Sequence, residues 1–159
     1  MNAPKFETGQ LGAPLVVINQ VEPQPGECLI PHPEGTTGHR LYHLATLVFR
    51  NRPGPALDMA RWLTITERHT LCVGRWDAAE AARKATEVVA QAGERPMLAL
   101  GRRVLLAIAG TDHLGNVERE GLYMIPHPSR RNRAWLVEDN VTAAIATLDR
   151  WMAAGGIWR

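Results

Sequence analysis

The tetrapeptide Ile-Pro-His-Pro occurs twice in this chain, at residues 30–33 and 125–128. A proline ring fixes its own φ and restricts the residue before it, so a histidine between two prolines is a preorganised hydrogen-bond donor. Such a donor suits a reaction in which negative charge develops on a departing group. His127 fits that role. His32 either lines the same site or sits on a surface loop. The same chemistry needs a polar residue that holds or deprotonates a water. Asn19, at the end of the first apolar run, and Glu22, three residues on, are the candidates. An asparagine orients a water but takes no proton from it, so Glu22 or Glu34 is the stronger base.

Other residues of chemical interest are weaker signals. Residues 34–40, EGTTGHR, are glycine-containing and open a helix, so their backbone N–H groups can face a phosphate or a sugar. They lack the Lys-Ser/Thr of a Walker loop. His39 and His43 have the i, i+4 spacing of metal ligands on a helix, but no glutamate follows His39 and no third ligand is evident. Cys28 and Cys72 match no zinc or iron–sulfur spacing and read as ordinary thiols. No metal and no cofactor is expected. Arg130, Arg131 and Arg133 form a basic cluster, and a planar guanidinium suits phosphate. Trp135 lies beside that cluster, where an indole can stack on a base or ribose.

Hydrophobic patterning locates the elements that must hold these residues. Strands are expected at 14–19, 61–66, 96–100 and 122–126, with polar loops at 20–38 and 67–76. Helices are expected at 38–49, capped by Thr36 or Thr37; at 77–93, with Asp77 as N-cap and Gly93 as stop; at 102–110; and at about 138–154. Strand–helix alternation four times over predicts an α/β fold: a three-layer α/β/α sandwich around a central, mostly parallel four-stranded sheet. Ligands of such sheets bind outside the carboxyl ends of the strands. Both Ile-Pro-His-Pro stretches lie in or beside those loops, so two histidines far apart in sequence can converge.

With the strands placed, the chain resembles the uracil-DNA glycosylase superfamily over roughly residues 14–150. The segment YMIPHPSRRNR is similar to that family's final strand, which delivers a His-Pro-Ser motif and a short DNA-contacting loop. MLALGRRVLLAIAG looks like the preceding strand, glycine and helix, WLTITERHTLCVGRWD like the second strand and its loop, and LVVINQVEP stands where the first motif belongs. The resemblance implies a cofactor-free DNA glycosylase that flips a base out of the helix and hydrolyses its N-glycosidic bond. It implies His127 as the donor to the departing base, and Asn19 or Glu22 as the residue at the attacking water. Thr66 and Glu67 would contact the base and Ser129 would grip a phosphate; His32, which has no counterpart in the family pattern, is a further substrate-binding candidate from its own Pro-His-Pro setting. Arg130, Arg131, Asn132 and Arg133 would contact DNA, with Arg131 as the wedge that fills the gap. Two departures stand out. Val17 takes the place of the usual glycine in the first motif, and the second strand lacks the asparagine that reads uracil. These point to a damaged or modified base, and leave open a degenerate DNA- or nucleotide-binding module, or a small nucleotide N-glycoside hydrolase.

Bulk properties set the frame. A chain of 159 residues favours one domain, taken as residues 14–159 behind an N-terminal arm of 1–13. A net charge of +2 permits nucleic-acid binding without arguing for it. No apolar run is long enough to span a bilayer, and the first residues lack a basic start and apolar core. A cytoplasmic monomer with DNA as its partner, and no membrane association, is the expectation.

Overall fold

The computed structural model describes residues 10–22, 28–116 and 120–158. In chain order the elements are β1 (Leu15–Glu22), α1 (Thr37–Arg50), α2 (Met59–Ile65), β2 (Thr66–Val73), α3 (Ala78–Ala92), β3 (Met97–Leu100), α4 (Arg102–Ala109), β4 (Leu122–Ile125) and α5 (Glu138–Ala154). Short 3₁₀ turns occupy Leu114–Asn116 and Arg133–Leu136. The four strands form one sheet in the order β2-β1-β3-β4, and every pairing is parallel. The chain is therefore the expected three-layer α/β protein.

Alternation along β1 divides the two cores. Leu15 and Val17 pack with Leu41, Leu44 and Val48 of α1, Trp62 of α2, and Leu148 and Trp151 of α5. Val16 and Ile18 pack on the other face with Ala81, Ala85 and Val88 of α3 and Val104 and Leu105 of α4. Burial on both faces is why β1 reads as an unbroken apolar run. From β1 the chain moves to one side for β2 and to the other for β3 and β4. The resulting switch point between β1 and β3 is where an open parallel sheet offers a crevice.

Helix boundaries follow local signals. Thr36 caps α1 by accepting from the His39 amide at 3.2 Å, and Asp77 caps α3 by accepting from Glu80 at 3.0 Å. Each satisfies one of the amides that a helix start leaves unpaired.

The second strand departs from expectation. Residues 59–65, not part of any strand, form α2, whose N-cap Asp58 accepts from the Arg61 amide at 2.8 Å. The strand occupies Thr66–Val73, where a polar loop was expected. Its buried polar residues, Thr66, Glu67, Arg68 and His69, each make at least one specific side-chain contact. Glu67, 1% exposed, accepts from Arg95 at 3.1 and 3.2 Å, from the Gly12 amide at 2.9 Å, and from His69 at 2.9 Å. Arg68 lies on the opposite face and reaches Thr66 Oγ1 at 3.1 Å. Hydrophobic periodicity does not report a strand whose burial is compensated by ion pairs. β1 also runs three residues past its expected end. Residues 10–13, assigned to a separate arm, dock on the domain: the Gln10 amide donates to Thr66 O, and Arg95 donates to Ala13 O. The rest of that arm lies outside the described residues.

Candidate functional site

Two strand ends build the centre of the site. β4 stops at Ile125, and Pro126 delivers His127 beyond the carboxyl edge of the sheet. β3 ends beside it in Gly101, whose φ is +98°. That conformation favours glycine, and a Cβ there would lie 3.4 Å from the His127 Cβ. Gly101 also donates to Ile125 O at 2.9 Å, tying the two strand ends together.

The loop after His127 folds around one oxygen. The His127 carbonyl accepts from the Ser129 amide at 2.8 Å, Trp135 Nε1 at 2.7 Å and Asn132 Nδ2 at 3.1 Å. Asn132 Oδ1 in turn accepts from the Ala134 amide, capping the 3₁₀ turn. The ring itself is held by a residue 108 positions earlier: His127 Nε2 lies 3.1 Å from Asn19 Oδ1. Asn19 Nδ2 donates to Val21 O at 3.0 Å, which orients the amide so that its oxygen faces the histidine. Nε2 therefore carries the proton and donates. Burial pushes the His127 imidazole below its ordinary pKa of 6.5, so the ring is a neutral donor at physiological pH.

Asn19 opens onto a cavity of about 400 Å³ that Glu22, His32, Pro33, Thr37 and Gly38 also line. Its outer wall is the 28–36 segment, pressed against the first turn of α1. A Cβ at Gly38 would overlap the carbonyl of Ile30, so only glycine lets the helix approach so closely. Thr36 fastens the same corner, donating to Pro33 O at 2.9 Å while capping the helix. Glu22 is 3% exposed and Asn19 is 4% exposed, which sets both polar groups in a site largely shielded from bulk water.

The sequence candidates divide accordingly. Asn19, Glu22 and His32 share one cavity, and His127 joins it through Asn19. Thr66 and Glu67 do not reach it. Thr66 pairs with Leu15 at the amino end of the sheet, whereas Glu22 pairs with Val73 at the carboxyl end. Thr66 donates to Trp62 O at 2.6 Å, and Glu67 is committed to Arg95 and His69. The cause is the shifted strand: these residues begin β2 instead of ending it. Ser129 Oγ accepts from the Arg131 amide at 3.2 Å, and Arg130, Arg131 and Arg133 are exposed.

A second cleft, about 590 Å³, adjoins the first and is lined by Glu34, His39, Arg40, His43, Arg130 and Trp135, among others. Glu34 thus faces this cleft instead of the Asn19 cavity. Among the described residues no group of three or more His, Cys, Asp or Glu side chains converges as a metal site. Among them, too, no helix is long and apolar enough to cross a membrane. Sequence reading missed Gly101, Gly38 and the anchoring role of the Trp135 indole. The two glycines carried only turn and helix-start signals, and the indole's partner is a backbone oxygen that no side-chain pattern reveals.

No protein-family model matches the chain, and no curated protein sequence is significantly similar to it.

Proposed function

We propose that this protein is a DNA glycosylase that hydrolyses the N-glycosidic bond of a damaged or modified base. The observation that carries this reading is the Asn19–His127 pair, a neutral imidazole held against an amide that lines a cavity together with a carboxylate. In the reaction the C1′–N bond breaks and its electron pair leaves with the base, giving the sugar oxocarbenium character. His127 Nε2–H, held by Asn19 Oδ1 in the free protein, would turn from that oxygen to an oxygen of the departing anionic base when substrate binds. Water then attacks C1′ and gives its proton to Glu22, the carboxylate of the cavity. In the free protein Asn19 aligns the donor, and Glu22 is assigned the water because it is a carboxylate lining the same cavity.

The same pairing favours one rival. If Glu22 does not activate water, a first-strand amide already satisfied at both ends leaves a DNA-binding module without hydrolytic chemistry. Incubation with single- and double-stranded oligonucleotides carrying uracil, deaminated purines or modified pyrimidines separates the two. Freed base, detected by mass spectrometry and abolished in His127→Ala, is the expected result. Tight, steeply salt-dependent DNA binding with no base released from any substrate supports the binding module instead.

A further inference from the structure

We propose that the second cleft takes the nucleotide adjoining the target, so that the protein engages single-stranded DNA in preference to duplex. This rests on the nucleic-acid reading above and adds to it the form of the substrate.

The first turn of α1 is the partition between the two cavities. Thr37 and Gly38 face the Asn19 side, and His39 and Arg40 face the other. Neighbouring recesses separated by one helical turn suit neighbouring units of one polymer. The second recess, about 590 Å³, falls within the range of roughly 300–1,000 Å³ typical of small-ligand sites, with room for a base and its sugar. Its chemistry matches a nucleotide. Arg40 and Arg130 supply charge for a phosphodiester, His39 and His43 supply ring nitrogens, and Glu34 is the one carboxylate on the wall. Trp135 supplies a flat face, and its Nε1 is anchored on the His127 carbonyl at 2.7 Å, so the indole is fixed relative to the donor histidine. Arg130 is placed by the first loop: its Nη1 would lie 3.2 Å from a Cβ at Gly35, so the absence of that atom lets the guanidinium rest across the glycine.

The form of the DNA follows. A base flipped from a duplex leaves its neighbours stacked and paired, and drawing a second base into a recess adds another unstacking and unpairing cost. A single strand carries no pairing cost at either position. Stacking on an aromatic face strengthens single-strand binding by about 5- to 150-fold per base.

The test is fluorescence anisotropy with a labelled oligothymidylate of about ten nucleotides, free or annealed to its complement, at one fixed salt concentration. Expected is single-strand affinity at least about tenfold above duplex affinity. His43→Glu, at an exposed position of α1, and Arg130→Glu are each expected to lower single-strand affinity by about tenfold. Arg150→Glu, an exposed charge reversal near the end of α5 at the opposite edge of the sheet, controls for net charge and is expected to change it less than about twofold. Duplex binding as tight as single-strand binding, equal losses in all three variants, or no binding to either oligonucleotide overturns the proposal. The oligonucleotide carries no modified base, so this outcome is independent of whether base release is observed.

Discussion

At the scale of single residues, the division of labour between Asn19 and Glu22 is the central question. Asn19 spends its oxygen on His127 and its nitrogen on Val21, so its contribution is geometric. Glu22 lies in the same shielded cavity and is the carboxylate there that the proposed reaction uses to take a proton from water. Single-turnover base release is therefore expected to fall by about 10²–10⁴ in Glu22→Gln with substrate affinity little changed. Asn19→Ala leaves the imidazole unclamped, and a loss of about tenfold to a hundredfold is expected. Equal rates in Glu22→Gln and the parent protein would move the water away from Glu22. The pairing of His127 with the first strand also brings the two Ile-Pro-His-Pro stretches to the same region of the fold. One places a histidine against Asn19, and the other lines the cavity that Asn19 also lines.

At the scale of elements, the approach of α1 to the 28–36 segment decides whether that cavity exists. The helix start touches the Leu29 and Ile30 backbone at Gly38, with no space for a methyl group. Gly38→Ala is expected to destabilise the protein by about 1–3 kcal/mol, the usual cost of overpacking, read as a lower urea midpoint at unchanged slope. Gly115→Ala is the matched control. It stands in a 3₁₀ turn with open space around its Cβ position, and a change within about 0.5 kcal/mol is expected. Comparable losses at both positions would show that the close approach at Gly38 is not what holds the corner. β2 makes a related point at the other end of the sheet. An edge strand accommodates Glu67 and Arg68 because partners from outside the strand, Arg95, Gly12 and the Cys28 carbonyl, compensate them, and His69 pairs with Glu67 within it.

At the scale of the whole molecule, those buried groups set the response to acid. Burial lowers the pKa of His69 and of His127 from 6.5, against the raising effect of Glu67 on His69. Glu67 is itself raised by burial, but its hydrogen bonds to Arg95, His69 and Gly12 outweigh this, and its pKa lies below 4.5. For the two histidines the unfolded chain binds protons first as pH falls below 6.5, so stability declines from there through the lowered folded values. For Glu67 the stabilisation is present above 4.5 and is lost as pH falls through its lowered folded value. Melting temperature is thus expected to fall in two stages between about pH 7 and about pH 3. His127→Asn should flatten part of the upper stage, and Glu67→Gln the lower one. A melting temperature independent of pH across both windows would contradict the burial of these groups in the folded protein.

The sequence by itself determined the features whose cause is local. Helix starts at Thr36 and Asp77, the stop at Gly93, the last helix and the buried β1 all follow from caps and from periodicities within a few residues. The repeated strand–helix order carried the parallel sheet, and that sheet implied a site at its carboxyl edge near His127. Tertiary structure alone decided which polar residues meet there. Thr66 and Glu67 were misplaced because a polar edge strand, stabilised by Arg95 from another element, looks like a loop in sequence. The contact of His127 with Asn19 spans 108 positions and is set by strand order and by the glycine at the end of β3. No periodicity encodes such a distance, because it is fixed only when all four strands are side by side.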